Sequence, residues 1–301
     1  MRLRAVLESL PEGYELLRGR RGWLACEHGA RETLLSAGFG PDGGEVLAPS
    51  DLSGRGPLFS IAAGSERWIV RHFHHGGILR FFGERLFLEP SRPFRELALA
   101  HSLRTAGLPT ARVVAARSVR ALPFGWRLAL ISARIEEGIT AAAVLARLQR
   151  GELAPEARQR FLSTLGGLVG RLHAARFLHA DLTPRNLLLA SDLASGWVLD
   201  LDRGRHLAAL PDLVRRDNLR RLYRYVSRRE ERTRTRLTRA DYLRFLGAYG
   251  RACGQKTDWR ADWRAILRRD RLHGPVHRLG WWLEERLGDG LERRDRTAVP
   301  R

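Results

Sequence analysis

From about residue 45 to 75, apolar and polar positions alternate in short runs. Pro57-Leu58-Phe59-Ser60-Ile61, a turn at Gly64-Ser65 and Trp68-Ile69-Val70-Arg71-His72-Phe73 read as strands. The period then lengthens. Residues 93–106 predict a helix opened by Pro93, with Phe94, Leu97, Ala98 and Leu103 apolar. Val113-Val114-Ala115 and Arg127-Leu128-Ala129-Leu130-Ile131 read as further strands around a turn at Pro123-Phe124-Gly125. From about 140 onward the pattern is mostly helical. A long helix over 155–175 begins at Pro155, with Ala154 in the cap position and Phe161, Leu165, Leu168, Val169 and Leu172 on one face. Leu187-Leu188-Leu189, a Ser191–Gly196 turn and Trp197-Val198-Leu199 interrupt that pattern as a small hairpin. These elements predict an α+β, two-lobed molecule. A sheet-rich N-terminal lobe with one helix would span 1–135, and a mainly helical C-terminal lobe 136–301.

The chemistry falls in two short motifs around the hairpin. His179-Ala180-Asp181-Leu182-Thr183-Pro184-Arg185-Asn186 matches the catalytic-loop pattern of the protein-kinase-like fold at each fixed position except the arginine after the histidine, here Ala180. Phosphoryl transfer needs a carboxylate to orient a hydroxyl and accept its proton, hard oxygen ligands for Mg²⁺, and a cation for the phosphates. Asp181 would be the base and Asn186 a metal ligand. Asp200-Leu201-Asp202 follows 14 residues after Asn186, in the place of Asp-Phe-Gly, and makes Asp200 the second metal ligand. For the cation, Arg71 occupies the strand position where a lysine belongs, with Glu96 on the following helix as its partner. Gly54 and Gly56, ahead of the first strand, would cover the phosphates with backbone N–H groups. ATP and Mg²⁺ are therefore the expected cofactors. Ala154-Pro155-Glu156 lies upstream of the catalytic loop and reads as a helix start.

Composition narrows the partners. The 301 residues carry a net charge of +20 and are 44% hydrophobic, which calls for a globular fold near a polyanion. Lys256 is the only lysine among 53 basic residues. Cys26 and Cys253 have no metal-ligand spacing and fit a reducing compartment. No apolar run reaches the roughly 18 residues of a membrane span, and the N-terminus lacks a secretory pattern. His72, His74, His75, His101, His173 and His277 form no metal-ligand grouping, and His173 is expected to pack or bond near the catalytic loop. Helix-turn-helix, zinc and RNA-binding signatures are lacking, so no nucleic-acid partner is expected. An acceptor of the small cationic type would want an acidic pocket, whereas this C-terminal half is dense in arginine.

The catalytic segment, with Leu199-Asp200-Leu201-Asp202-Arg203-Gly204-Arg205, resembles the 3-deoxy-D-manno-octulosonic acid (Kdo) kinases of Gram-negative bacteria. The likeness extends to Gly54-Arg55-Gly56, to the run from Trp68 through Arg71 to Gly77, to Phe94-Arg95-Glu96-Leu97 and to Ala106-Gly107-Leu108-Pro109, covering roughly residues 50–225. Leu201 departs from the usual aromatic. The resemblance implies ATP-dependent phosphorylation of the 4-hydroxyl of Kdo on a lipid A precursor. Lipopolysaccharide heptose kinases share much of the signature. A Kdo–lipid A acceptor is anionic and bilayer-embedded, so Arg185, Arg203 and Arg205 are candidates to meet it. The protein would then lie peripherally on the cytoplasmic face of the inner membrane. Arg215, Arg216, Arg220, Arg221 and Arg224, with Trp259, Trp263, Trp281 and Trp282, would face the anionic membrane surface.

Overall fold

The computed structural model describes residues 3–44, 47–52, 57–74, 86–122, 124–202, 204–233, 235, 237–254 and 258–268. Its first part runs α1 (Leu3–Glu8), β1 (Tyr14–Arg18), β2 (Gly22–Glu27), α2 (Arg31–Ser36), β3 (Ala48–Pro49), β4 (Leu58–Ala63), β5 (Glu66–His72), α3 (Arg92–Thr105), β6 (Val113–Arg120) and β7 (Trp126–Ala133). The strands form one antiparallel sheet in the order β1-β2-β6-β7-β5-β4-β3. Period-2 alternation divides its faces. Leu24, Trp68, Val70, Val114 and Ile131 pack with Leu34 and Phe39 in one core, while Phe73, Ala116, Leu128 and Leu130 join Phe94 and Leu97 of α3 in the other.

Strand β6 is longer than its apolar run because the polar residues inside it find partners. Arg117 lies over the Phe39 ring at 3.6 Å, and the Ser118 hydroxyl donates to the Pro90 carbonyl at 2.5 Å. Buried polar groups persist where such partners exist. Strands β1 and β2, unread in the sequence, supply the sheet edge.

The second part runs β8 (Ile139–Thr140), α4 (Ala141–Gln149), α5 (Pro155–Ala174), β9 (Phe177–Leu178), β10 (Leu187–Leu189), β11 (Gly196–Val198), β12 (Arg205–His206), α6 (Asp212–Thr233), α7 (Arg239–Cys253) and α8 (259–268). The expected hairpin forms, with Leu187 opposite Val198. Helices α5 and α7 approach closely because Gly166 and Gly170, four residues apart, present no side chain. A Cβ at Gly170 would lie 2.5 Å from the Tyr249 carbonyl oxygen, and one at Gly166 would land on that of Phe245. The two lobes are stitched at Thr110, whose hydroxyl donates to the Val198 carbonyl at 2.8 Å, and by the Val198 N–H donating to the Pro109 carbonyl at 2.9 Å.

Two surface expectations are corrected here. Arg215 is not a solvent-facing cation: it is buried, ion-paired with buried Asp262 of α8 at 2.6 Å, and donates to the Tyr249 hydroxyl at 2.8 Å. Trp263 is not an interfacial anchor, since it packs at 5.2 Å from the Tyr223 ring and 4.9 Å from the Tyr242 ring. Trp281, Trp282, His75 and His277 lie outside the described residues.

Candidate active site

Each functional side chain is placed by the local fold. On β5, Trp68 and Val70 point to one face, so Arg71 shares the other with Phe73 and faces α3. There it meets Glu96, which lies with Phe94, Leu97 and Ala100 on the buried side of α3. Arg71 Nη2 donates to both Glu96 oxygens at 2.7 Å, while Nη1 donates to Asp200 Oδ1 at 3.0 Å. One guanidinium thus joins the sheet, α3 and the loop after β11. Burial pushes the Glu96 carboxyl up to about 7, against the pull of Arg71 and helped by the nearby carboxylates of Asp200 and Asp202.

The loop 179–186 is organised by His179. Its Nδ1 accepts the Asp181 N–H at 3.0 Å, which leaves Nε2 as the protonated nitrogen donating to the Leu199 carbonyl at 2.9 Å. Burial lowers the His179 pKa and favours this neutral form. The imidazole therefore ties the loop to the strand end that delivers Asp200, a residue held at φ +55°, where non-glycine residues are uncommon. Asn186 spends its amide N–H groups on the Asp181 carbonyl at 2.8 Å and on Asp181 Oδ2 at 3.2 Å.

Beneath the loop runs a chain of buried polar groups with one consistent direction. Arg215 donates to the Tyr249 hydroxyl. Tyr249 lies 3.0 Å from His173 Nδ1, and His173 Nε2 lies 3.1 Å from Asn218 Oδ1. The Asn218 amide then donates to the His179 carbonyl at 2.7 Å. Every donor finds an acceptor only if His173 is neutral with its proton on Nε2. Burial depresses its pKa to about 4, in line with that assignment.

The structure therefore brings Asp181, Asn186, Asp200, Arg71 and Glu96 together at the junction of the lobes. Arg185 turns toward α6, its Nε donating to the Tyr225 hydroxyl at 3.3 Å, and Arg205 is exposed on β12 opposite Leu178. Gly54, Gly56 and Arg203 lie outside the described residues. Sequence reasoning missed three contributors. Asp202 makes a two-pronged ion pair with Arg92 at the start of α3, Nε to Oδ1 at 2.8 Å, and Arg92 also lies over the rings of Phe73 and Phe87. Asn218, the sole amide in the basic stretch of α6, carried a signal in being uncharged among arginines. Arg221 stands 4.0 Å from Asp181.

The model of the lipopolysaccharide kinase (Kdo/WaaP) family matches residues 47–249, a span holding all of these residues. The chain belongs to that family. Among its relatives, the 3-deoxy-D-manno-octulosonic acid kinase of Stenotrophomonas maltophilia is 31% identical over 219 residues, covering 71% of this chain and 83% of that protein. The enzyme of the same name from Xanthomonas axonopodis pv. citri is 31% identical over 235 residues, 75% of this chain and 89% of its own. The Actinobacillus succinogenes one is 28% identical over 186 residues, covering 60% and 74%. A solved structure of WaaP in complex with acyl carrier protein superimposes with a TM-score of 0.50 at 19% identity, covering 82% of this chain and 89% of that one. This Kdo/WaaP-family member is a kinase with the two-lobed, kinase-like α+β fold.

Proposed function

We propose that this kinase transfers the γ-phosphoryl group of ATP, with Mg²⁺, to the 4-hydroxyl of Kdo on a lipid A precursor. The observation that carries the reading is the convergence of Asp181, Asn186 and Asp200 with the Arg71–Glu96 pair, in a member of this family. ATP and Mg²⁺ would supply the phosphoryl group and the charge neutralisation that its transfer demands. The donor set fits that load. Among the described residues no three His, Cys, Asp or Glu gather around a metal position. Mg²⁺ instead takes one or two protein oxygens and completes its shell with phosphates and water. Asp200 offers a carboxylate, and Asn186, with its nitrogen spent on Asp181, offers its carbonyl oxygen.

Asp181 accepts the acceptor's hydroxyl proton and is aimed by the Asn186 amide. Arg71 presents positive charge to the phosphates while Glu96 fixes its direction. Its planar fork can hold Glu96 and a phosphate oxygen at once, which a lysine's point charge does less well. The lobe 1–135 would carry the nucleotide and the lobe 136–301 the acceptor. Gly54 and Gly56 would cover the phosphates, with Arg185, Arg203 and Arg205 toward the acceptor.

The net charge of +20 and an anionic, bilayer-embedded acceptor support a position on the cytoplasmic face of the inner membrane. No helix among the described residues is long and apolar enough to cross a membrane. Co-sedimentation with anionic vesicles that vanishes at high salt is expected, and salt-independent or absent binding refutes this location. The function is tested by transfer from labelled ATP to Kdo–lipid A, heptosylated core and small cationic acceptors. Label on Kdo–lipid A at the 4-position is the expected result; label only on another acceptor refutes the assignment.

A further inference from the structure

Helix α6 runs alongside the catalytic loop in register. Asn218, Arg221 and Tyr225 fall at helical spacings of three and four, on one face. They meet His179, Asp181 and Arg185 in the same order: Asn218 donates to the His179 carbonyl, Arg221 stands by Asp181, and Tyr225 takes the Arg185 guanidinium. The first contact is buried and structural. The second is open to solvent, with the Arg221 and Asp181 side chains 45% and 37% exposed.

The neighbouring arginines of α6 are engaged in the fold. Arg215 and Arg216 are paired with Asp262 and Asp212, and Arg220 with Asp217. Arg221 differs, because its Nη1 lies 4.0 Å from Asp181 Oδ1, beyond hydrogen-bond length. At this stand-off the guanidinium places a cation beside Asp181, where the acceptor must sit.

We propose that Arg221 binds the carboxylate of the acceptor sugar and selects acidic sugars over neutral ones, an inference that rests on the function proposed above. In Kdo one ring carbon separates the carboxylate-bearing carbon from the carbon with the 4-hydroxyl. A hydroxyl bonded to Asp181 therefore brings the carboxylate within reach of Arg221. The planar fork suits a carboxylate better than it suits the hydroxyls of a neutral sugar.

The test compares wild type, Arg221→Gln and Arg221→Lys on Kdo–lipid A and on the same acceptor with the Kdo carboxylate converted to a carboxamide. On the natural acceptor, Arg221→Gln is expected to raise KM roughly 10- to 100-fold, the range of a lost charge-assisted hydrogen bond. Arg221→Lys recovers part of the loss, and wild type and Arg221→Gln become equal on the carboxamide. Nucleotide affinity, measured by binding of a fluorescent ATP analogue, stays within about twofold for a residue acting on the acceptor alone. An unchanged KM, or the same penalty on both acceptors, overturns the assignment while leaving the kinase reading intact. If wild type ignores Kdo–lipid A and phosphorylates a neutral sugar instead, the proposed function fails, and the carboxylate role of Arg221 falls with it.

Discussion

Asp202 and Arg92 form a latch between the lobes whose strength can be worked out and measured. Their side chains are 14% and 17% exposed, and Nε and Nη2 of the guanidinium each engage one carboxylate oxygen. Breaking a fully buried pair by removing one partner costs about 3–5 kcal/mol, because the survivor is left charged and unpaired. One feature reduces that here. Arg92 keeps the Phe73 and Phe87 rings beneath it at 5.1 and 5.2 Å. We therefore expect Asp202→Asn and Arg92→Met each to lower unfolding free energy by about 2–3 kcal/mol. The double variant leaves no orphaned charge and should cost less than the sum of the singles by at least about 1.5 kcal/mol. Urea denaturation followed by tryptophan fluorescence supplies the cycle. Additive single costs would refute the latch. A functional signature accompanies it: Arg71, Glu96 and Asp200 are held by the same elements, so each single variant should also weaken ATP binding, and the double variant should restore part of it.

Three further outcomes are expected. Asp181→Asn should cut phosphate transfer by roughly 10²–10⁴-fold in a proton-transfer role, with an unchanged thermal midpoint; near-normal turnover would remove it from catalysis. Gly166→Ala should destabilise by driving a methyl into the α7 backbone, whereas Gly167→Ala, with open space at its Cβ, should gain about 0.5–1 kcal/mol, and equal effects would contradict the α5–α7 contact. His173, with a pKa near 4 in the fold and an ordinary value of 6.5, binds its proton more readily when unfolded. Its contribution is complete above pH 6.5 and lost as the pH falls toward 4, up to about 3 kcal/mol. The thermal midpoint of wild type should therefore drop more steeply with acid than that of His173→Asn, and parallel curves would refute the neutral, directional chain.

Legibility in the sequence followed the physics of each signal. The helix 155–175 and the strand carrying Arg71 were readable because one face of each is apolar over several periods. Asp181, Asn186 and Asp200 were readable because fixed spacing within a loop and its hairpin is a local property. The Arg71–Glu96 pair could be anticipated from element order, since a strand followed by a helix packs back on the sheet. Strand β1 was lost because Tyr14–Arg18 is only partly buried and has no clean alternation. The Arg92–Asp202 pair joins residues 110 apart and left no local trace. The burial of Arg215 was invisible because its counter-charge, Asp262, comes from a helix beyond the segment where the likeness was legible.

That last pairing means that the part of the chain with recognisable kinship is smaller than the part that folds. The family match ends at residue 249 and begins at 47. Cutting at those limits would remove β2, exposing the ladder edge of β6, and would remove Asp262, leaving a buried guanidinium two hydrogen bonds from His173 with only the exposed carboxylate of Asp212 as its counter-charge. Kinship marks where the chemistry is written; the cooperative unit extends past it at both ends. A fragment trimmed to the match should fail to fold even though it retains each residue assigned to the phosphoryl-transfer step.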